Sequence, residues 1–263
     1  MAKIAVLGCG WLGMPLAEHL VELGYEVNGS TTSLAKLNLL ETISVKPYYI
    51  DLENDKTEYL DLFLDKVDLL IITIPPRMNE EHPTYSTNFE KLMPYLQRNN
   101  VNKVIMMSSV SVYAPNKEIV TEETQQYSRE KTAQQILDAE QVLLSNSFVN
   151  ACILRLGGLF GPDRKPVHYI CKKAFLDNPE LPVNMIHLAD IISFTTAIIQ
   201  NRFQSDCIYN IVSPKYKSRL DYYTQQANEN NLDLPPLGIN DWEMARKVSG
   251  NKIAVYTGKD YQY

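Results

Sequence analysis

KIAVLGCGWLGMPLAEHLVELGYEV, residues 3–27, decides how the rest of the chain is read. Lys3–Leu7 is a short apolar run stopped by a glycine, the pattern of a strand buried in a parallel sheet. From Leu12 the period changes. Leu12, Leu16, Leu20 and Leu23 recur at helical spacing, and Gly24 stands where a helix commonly ends. Between the two lies Gly8-Cys9-Gly10-Trp11-Leu12-Gly13, a G-x-G-x-x-G joining strand to helix. The first glycine permits the sharp turn, the second lets bare backbone approach a diphosphate, and the third lets helix and strand pack closely. The helix N-terminus adds free N–H groups and about half a positive charge. Three glycines are costly for a turn that binds nothing. Gly8, Gly10, Trp11, Leu12 and Gly13 are therefore the expected anchor of a dinucleotide, with Trp11 shielding the helix N-terminus.

Outward from this turn, strand-like segments at 25–30, 45–50, 67–74, 103–107 and 150–156 alternate with helical patterns at 33–40, 88–97 and 128–145. Alternation at this spacing implies βαβ units and right-handed crossovers. The expected fold is α/β, a Rossmann-type doubly wound parallel sheet over residues 1–157. A smaller C-terminal α+β lobe, residues 158–263, follows, with shorter elements near 185–200, 207–212 and 218–230. Ligands are expected in the crevice at the strands' carboxyl ends.

The 263 residues are 45% hydrophobic and 21% charged, an ordinary globular composition. Twenty-five basic against 31 acidic residues give a net charge of −6, and no basic run stands out. Nucleic-acid binding through phosphates is not expected. No apolar window reaches the roughly 18 residues that a membrane-spanning helix needs. The apolar run 4–17 contains Pro15 and three glycines and leads into a charged helix, so it is read as strand and turn, not a secretion signal. Cysteines 9, 152, 171 and 207 form no CxxC pair and read as reduced thiols of a cytoplasmic protein.

The end of the second strand should show how the ribose is held. An acid there favours NAD, yet residues 27–40 contain none. Ser30, Thr31 and Thr32, with Lys36 a turn into the next helix, suit a 2′-phosphate and favour NADP over NAD. The same stretch also reads as an N-cap at Ser33 and a solvated Lys36. Asp51 can accept from an adenine amino group or serve a turn. Pro75, in Pro75-Pro76-Arg77, marks where the nicotinamide half would pass, or simply a rigid strand stop.

Three more segments then fall into order: Ser108-Ser109-Val110-Ser111-Val112-Tyr113, Leu154-Arg155-Leu156-Gly157-Gly158-Leu159-Phe160-Gly161-Pro162, and Ile186-His187-Leu188-Ala189-Asp190, with Tyr209-Asn210-Ile211-Val212 beyond. Together with the glycine turn, these resemble the extended short-chain dehydrogenase/reductase superfamily, which includes nucleotide-sugar epimerases and dehydratases. The resemblance covers about the first 215 residues. It implies an oxidoreductase or isomerase chemistry, a dinucleotide cofactor and a small-molecule substrate, such as a sugar linked to a nucleotide. It also implies that Ser109 orients the substrate oxygen, while a Tyr and a Lys four residues later move the proton. Bringing a tyrosine from about pKa 10 to work near pH 7 requires roughly 4 kcal/mol.

Tyr127 and Lys131 have the formal Y-x-x-x-K spacing, about 40° apart if helical. The apolar stripe Ala133, Ile136, Leu137, Leu143 and Leu144 lies on nearly the opposite side. Aligning that stripe with the superfamily puts Thr132 and Ile136 at the Tyr and Lys positions, so the usual catalytic pair is expected to be missing. Two functions follow: an NAD(P)-dependent reductase or epimerase, or a non-catalytic dinucleotide sensor. Among other candidates, His168 and Cys171 lack a second pair for zinc. Arg155, inside a strand, is expected to ion-pair structurally. Asn184 reads as a substrate contact or a turn residue, and His187 with Asp190 as a strand-to-helix junction. No G-x-S-x-G elbow is present.

Overall fold

The computed structural model describes residues 2–76, 85–201 and 203–263; Arg77 lies outside them. The chain begins with β1 (Lys3–Leu7), α1 (Gly13–Glu22), β2 (Glu26–Thr31), α2 (Leu34–Thr42), β3 (Lys46–Tyr49) and α3 (Leu60–Leu64). β4 (Leu69–Ile72), α4 (Tyr85–Arg98), β5 (Lys103–Ser109), β6 (Ile119–Val120), α5 (Lys131–Leu144) and β7 (Asn150–Leu156) follow. The last third holds β8 (Gly158–Phe160), α6 (Val167–Ile170), β9 (Met185–His187), α7 (Leu188–Gln200) and β10 (Cys207–Ile211). It ends with α8 (Arg219–Asn230), β11 (Lys247–Val248) and α9 (Asn251–Thr257).

Among the described residues, seven strands form the main sheet in the order β10-β7-β5-β4-β1-β2-β3. The pairings of β1 with β2 and β4, of β2 with β3 and of β4 with β5 are parallel. This is the expected Rossmann-type α/β fold. β1 stands where the order reverses, with β2 and β3 to one side and β4 and β5 to the other. In doubly wound sheets the ligand crevice opens at the carboxyl ends of the strands beside such a point. β1, β4 and β5 are apolar because both faces are covered: Ala5, Val6, Leu70, Ile71, Val104 and Ile105 are fully buried.

α1 buries Gly13, Leu16, Ala17 and Leu20, while Leu23, expected on the same stripe, is exposed. Its end forms a Schellman closure: Gly24, at φ +88°, donates to Val21 O at 2.9 Å, and Tyr25 N–H donates to Leu20 O at 3.1 Å. Two expected boundaries move. β4 stops at Ile72, short of residue 74, although Thr73 N–H still reaches Leu7 O at 2.9 Å. α5 starts at Lys131, not 128, because Ser128 N–H is committed to Val112 O at 2.8 Å and Ala114 N–H to Gln126 O at 3.0 Å. α3 had no clear period in the sequence.

The chain packs as two compact units, one of residues 1–109, 129–154 and 198–208 and the other of 110–128, 155–197 and 209–263. Residues 110–128 thus belong to the second unit, although they precede the division expected at 157. The second unit has its own core, built on Val167, Ile170, Leu176, Val183, Tyr222, Tyr223 and Ala227. No helix among the described residues is long and apolar enough to cross a membrane.

Candidate functional site

In the first unit, the glycine turn follows β1 at the switch of strand order. Gly8 has φ +103°, and a Cβ there would lie 2.7 Å from Ile74 Cγ2 and 3.1 Å from Ile74 N. A Cβ on Gly13 would stand 2.3 Å from Gly8 O and 2.6 Å from Thr73 Oγ1. Both glycines are therefore required by the packing of the turn itself. Gly10 differs. It is exposed, and a Cβ there meets only Gly8 O, at 3.9 Å. Among the described residues nothing calls for glycine at this position, which leaves room there for a ligand that must touch main chain. α1 starts at an N-cap Leu12 with no side-chain cap and no acid in its first turn, which leaves its positive end able to face an anion.

Two residues outside the motif hold the turn. Ser30 Oγ accepts from Gly8 N–H at 2.9 Å, and Thr73 Oγ1 donates to Gly8 O at 2.5 Å. Thr73 was missed in the sequence because a single threonine in an apolar strand carries no periodic signal. Cys9 N–H donates to Ser30 O at 2.6 Å. Burial pushes the Cys9 thiol up to about 12, opposed by a backbone hydrogen bond at Ser30 and the Lys36 ammonium.

The hydroxyls proposed for the ribose end divide into two groups. Ser30 and Thr31 are buried. Ser30 Oγ is engaged with Gly8, and Thr31 Oγ1 accepts from Ser33 N–H at 3.1 Å. Thr32 is exposed and Lys36 half-buried. Ser33 stands at the N-cap of α2 without a side-chain cap bond. Asp51 is buried, with its carboxylate accepting from Asn54 Nδ2 at 2.9 Å. Pro75 is exposed, just past β4.

At the end of β5 two serines separate by strand alternation. Ser108 is buried and its hydroxyl donates to the carboxylate of Glu140, itself buried on α5. Ser109 is half-buried at the strand's carboxyl end. Tyr85 OH donates to Ile74 O at 2.9 Å, and burial first, then Glu140, raises its phenol well above the ordinary value. α5 buries Ala133, Ile136, Ala139, Glu140 and Leu143. Ile136, aligned with the superfamily's Lys, is part of the core, and Lys131 is exposed.

Tyr127 is not on α5, which corrects the helical-face reading of Tyr127 and Lys131. In the second unit it forms an antiparallel bridge with Tyr113, the two rings stacked at 6.2 Å. The guanidinium of buried Arg155 lies over both rings, at 4.8 Å from Tyr113 and 5.5 Å from Tyr127. Tyr113 OH donates to Asn210 Oδ1 at 2.9 Å, and Asn210 N–H donates to Glu122 Oε1 at 2.7 Å. Asn184 is a structural tie, with Nδ2 donating to Arg246 O at 2.7 Å and Oδ1 accepting from Val248 N–H at 2.8 Å. Among the described residues, no cluster of His, Cys, Asp and Glu could hold a metal ion. Cys9, Cys152 and Cys207 are buried free thiols, and Cys171 is partly exposed.

Residues 4–178 match the NAD dependent epimerase/dehydratase family. Over 268 aligned positions, all of this chain and 97% of the other, the protein is 30% identical to protein YeeZ of Escherichia coli (strain K12). UDP-glucuronic acid 4-epimerase from Bacillus cereus, in complex with NAD, has the same fold, with a TM-score of 0.82 at 18% identity. That alignment covers 99% of this chain and 94% of the epimerase. The dTDP-glucose 4,6-dehydratase DesIV from Streptomyces venezuelae, with NAD and TYD bound, gives 0.82 at 15% identity, over 99% of this chain and 92% of that one. At such identities the two structures attest the architecture alone. The family match and the full-length relative carry more: this chain belongs to the NAD dependent epimerase/dehydratase family, within the extended short-chain dehydrogenase/reductase superfamily.

Proposed function

We propose that the protein binds a nicotinamide dinucleotide on the Gly8–Gly13 turn and takes a nucleotide-linked sugar as its small-molecule partner. The observation that carries this reading is the contrast among the three glycines. Gly8 and Gly13 are needed for packing, whereas among the described residues only Gly8 O comes near a Cβ on Gly10, beside an uncapped helix N-terminus. Trp11, Leu12 and Gly13 would hold the diphosphate through main-chain N–H groups, with Ser30 and Thr73 fixing the turn behind them. Gly10, whose own N–H donates to Gly8 O at 2.7 Å, would give the diphosphate close approach to the backbone. Asp51 would face the adenine and Pro75 the nicotinamide half. Exposed Thr32 and half-buried Lys36 would read the ribose 2′ position, and the preference for NADP rests on the Lys36 ammonium. The solved relatives named above carry NAD, so NAD binding is the baseline.

Hydride acceptance and return is the chemistry a bound nicotinamide supplies. Ser109, half-buried at the end of β5, would orient the substrate oxygen through its hydroxyl. We infer that the usual proton-moving pair is missing, since aligning the apolar stripe puts Thr132 and Ile136 at its positions and Ile136 is buried on α5. That observation favours a second reading, a non-catalytic dinucleotide sensor or regulatory module.

Fluorescence titration with NADH and NADPH tests the cofactor, and saturable binding of either one is expected. Equal affinities would remove the NADP preference, and no binding would overturn the reading. Incubation with UDP-glucose and the bound cofactor, followed by product analysis, separates the two readings: turnover selects the enzyme, and binding without turnover selects the sensor.

A further inference from the structure

In the second unit, residues 259–263 lie along the start of α7 and are held by an unusual set of partners. Asp190 is 1% exposed, and its two carboxylate oxygens accept from successive main-chain groups, Gln262 N–H at 3.0 Å and Tyr263 N–H at 3.2 Å. Ser213 Oγ donates to Tyr263 O at 2.9 Å and Lys215 Nζ to Gln262 O at 3.0 Å. The Tyr263 ring stacks on His187 at 3.8 Å, 23° from parallel. His187 is itself fixed from its own side. Its Nδ1 accepts from Ala189 N–H at 3.2 Å, and Phe160 packs edge-on against it at 5.0 Å.

The chain's own backbone occupies a set of groups whose chemistry suits recognition of a polar ring. It offers a flat ring face, a carboxylate that takes two adjacent donors, and a hydroxyl and an ammonium that give to two nearby acceptors. A buried carboxylate stripped of its donors is strongly unfavourable, so the segment can leave only in exchange for something that returns both. Gln262 and Tyr263 are exposed on their other side, so exchange needs no opening of the core. A sugar ring meets every demand. Its vicinal hydroxyls donate in pairs and also accept, and its C–H face stacks on an aromatic ring.

We propose that residues 262–263 are a displaceable strap, standing in on His187 and Asp190 for a sugar ring that competes with it. The inference rests on the nucleotide-sugar reading above and adds to it a self-inhibitory segment and the residues that hold it. UDP-glucose is the probe, offered to the full chain and to the Tyr263→Ala variant in the presence of NAD. Calorimetry measures affinity, and hydrogen exchange follows the amides of Gln262 and Tyr263. In the full chain those amides are expected to be protected and to exchange at least tenfold faster once UDP-glucose saturates. Tyr263→Ala is expected to bind the probe about tenfold more tightly, and Lys215→Ala, which keeps the ring, a few-fold more tightly. Binding seen only in the variants also supports the strap. If UDP-glucose binds the full chain while protection and variant affinities stay unchanged, the strap is overturned and the nucleotide-sugar reading stands. If NAD binds but no chain binds UDP-glucose, both fall together.

Discussion

Gly10 and Gly13 are three residues apart in one motif, yet their substitutions should fail in different ways. A Cβ at 13 would have to fit 2.3 Å from a carbonyl oxygen, so Gly13→Ala should cost about 1–3 kcal/mol of stability. Thermal unfolding will register this as a clear drop in Tm. Gly10→Val should leave the melting curve nearly unchanged while weakening NADH binding by about 100-fold or more, roughly 2.7 kcal/mol. If Gly10→Val binds NADH normally, the assigned diphosphate site is wrong. Ser30 makes a third case. Its removal as Ser30→Ala leaves the Gly8 N–H without its acceptor and should cost about 1–3 kcal/mol in denaturant unfolding.

At the scale of elements, α5 is held by apolar packing and by one buried hydrogen bond. It is docked through Ile136, Ala139 and Leu143 and through the bond from Ser108 to Glu140. Its first turn is set by the chain before it, where Gln126 and Ser128 are tied to Ala114 and Val112. Glu140→Ala should lose about 2–4 kcal/mol, since it both deletes the acceptor and opens a cavity. Glu140→Gln keeps an acceptor for the Ser108 hydroxyl and should lose markedly less. Equal losses in urea unfolding would mean that volume, not the hydrogen bond, holds the helix.

Across the whole molecule, the net charge of −6 rests on carboxylates in very different surroundings. Glu122 is raised above the ordinary carboxylate value by burial, against the opposing Asn210 N–H bond. The folded protein therefore holds this proton more tightly than the unfolded chain. The contribution is fully present below the ordinary carboxylate pKa and is lost as pH rises through the folded value. Glu122→Gln does not titrate, so its Tm advantage over the native chain should grow between pH 4 and pH 7.5. A constant difference across that range would show that Glu122 titrates normally when folded.

Much of the architecture was legible in the amino-acid order, because hydrophobic period and glycine placement act between near neighbours. The buried run 69–72, the α1 stripe with Gly24 at its end and the strand at 150–156 all follow from that. The G-x-G-x-x-G turn was readable for the same reason, since backbone sterics demand glycine locally. Contacts between distant residues were not readable, and they decided the chemistry of the individual side chains. Ser30 read as a hydroxyl for a ribose phosphate until strand register brought Gly8 against it, and no spacing paired Ser108 with Glu140. Tyr127 looked helical until Val112 and Ala114 claimed the backbone beside it. Spacing along the chain encodes which face a residue takes, but only the folded packing determines which polar group waits there to bind it.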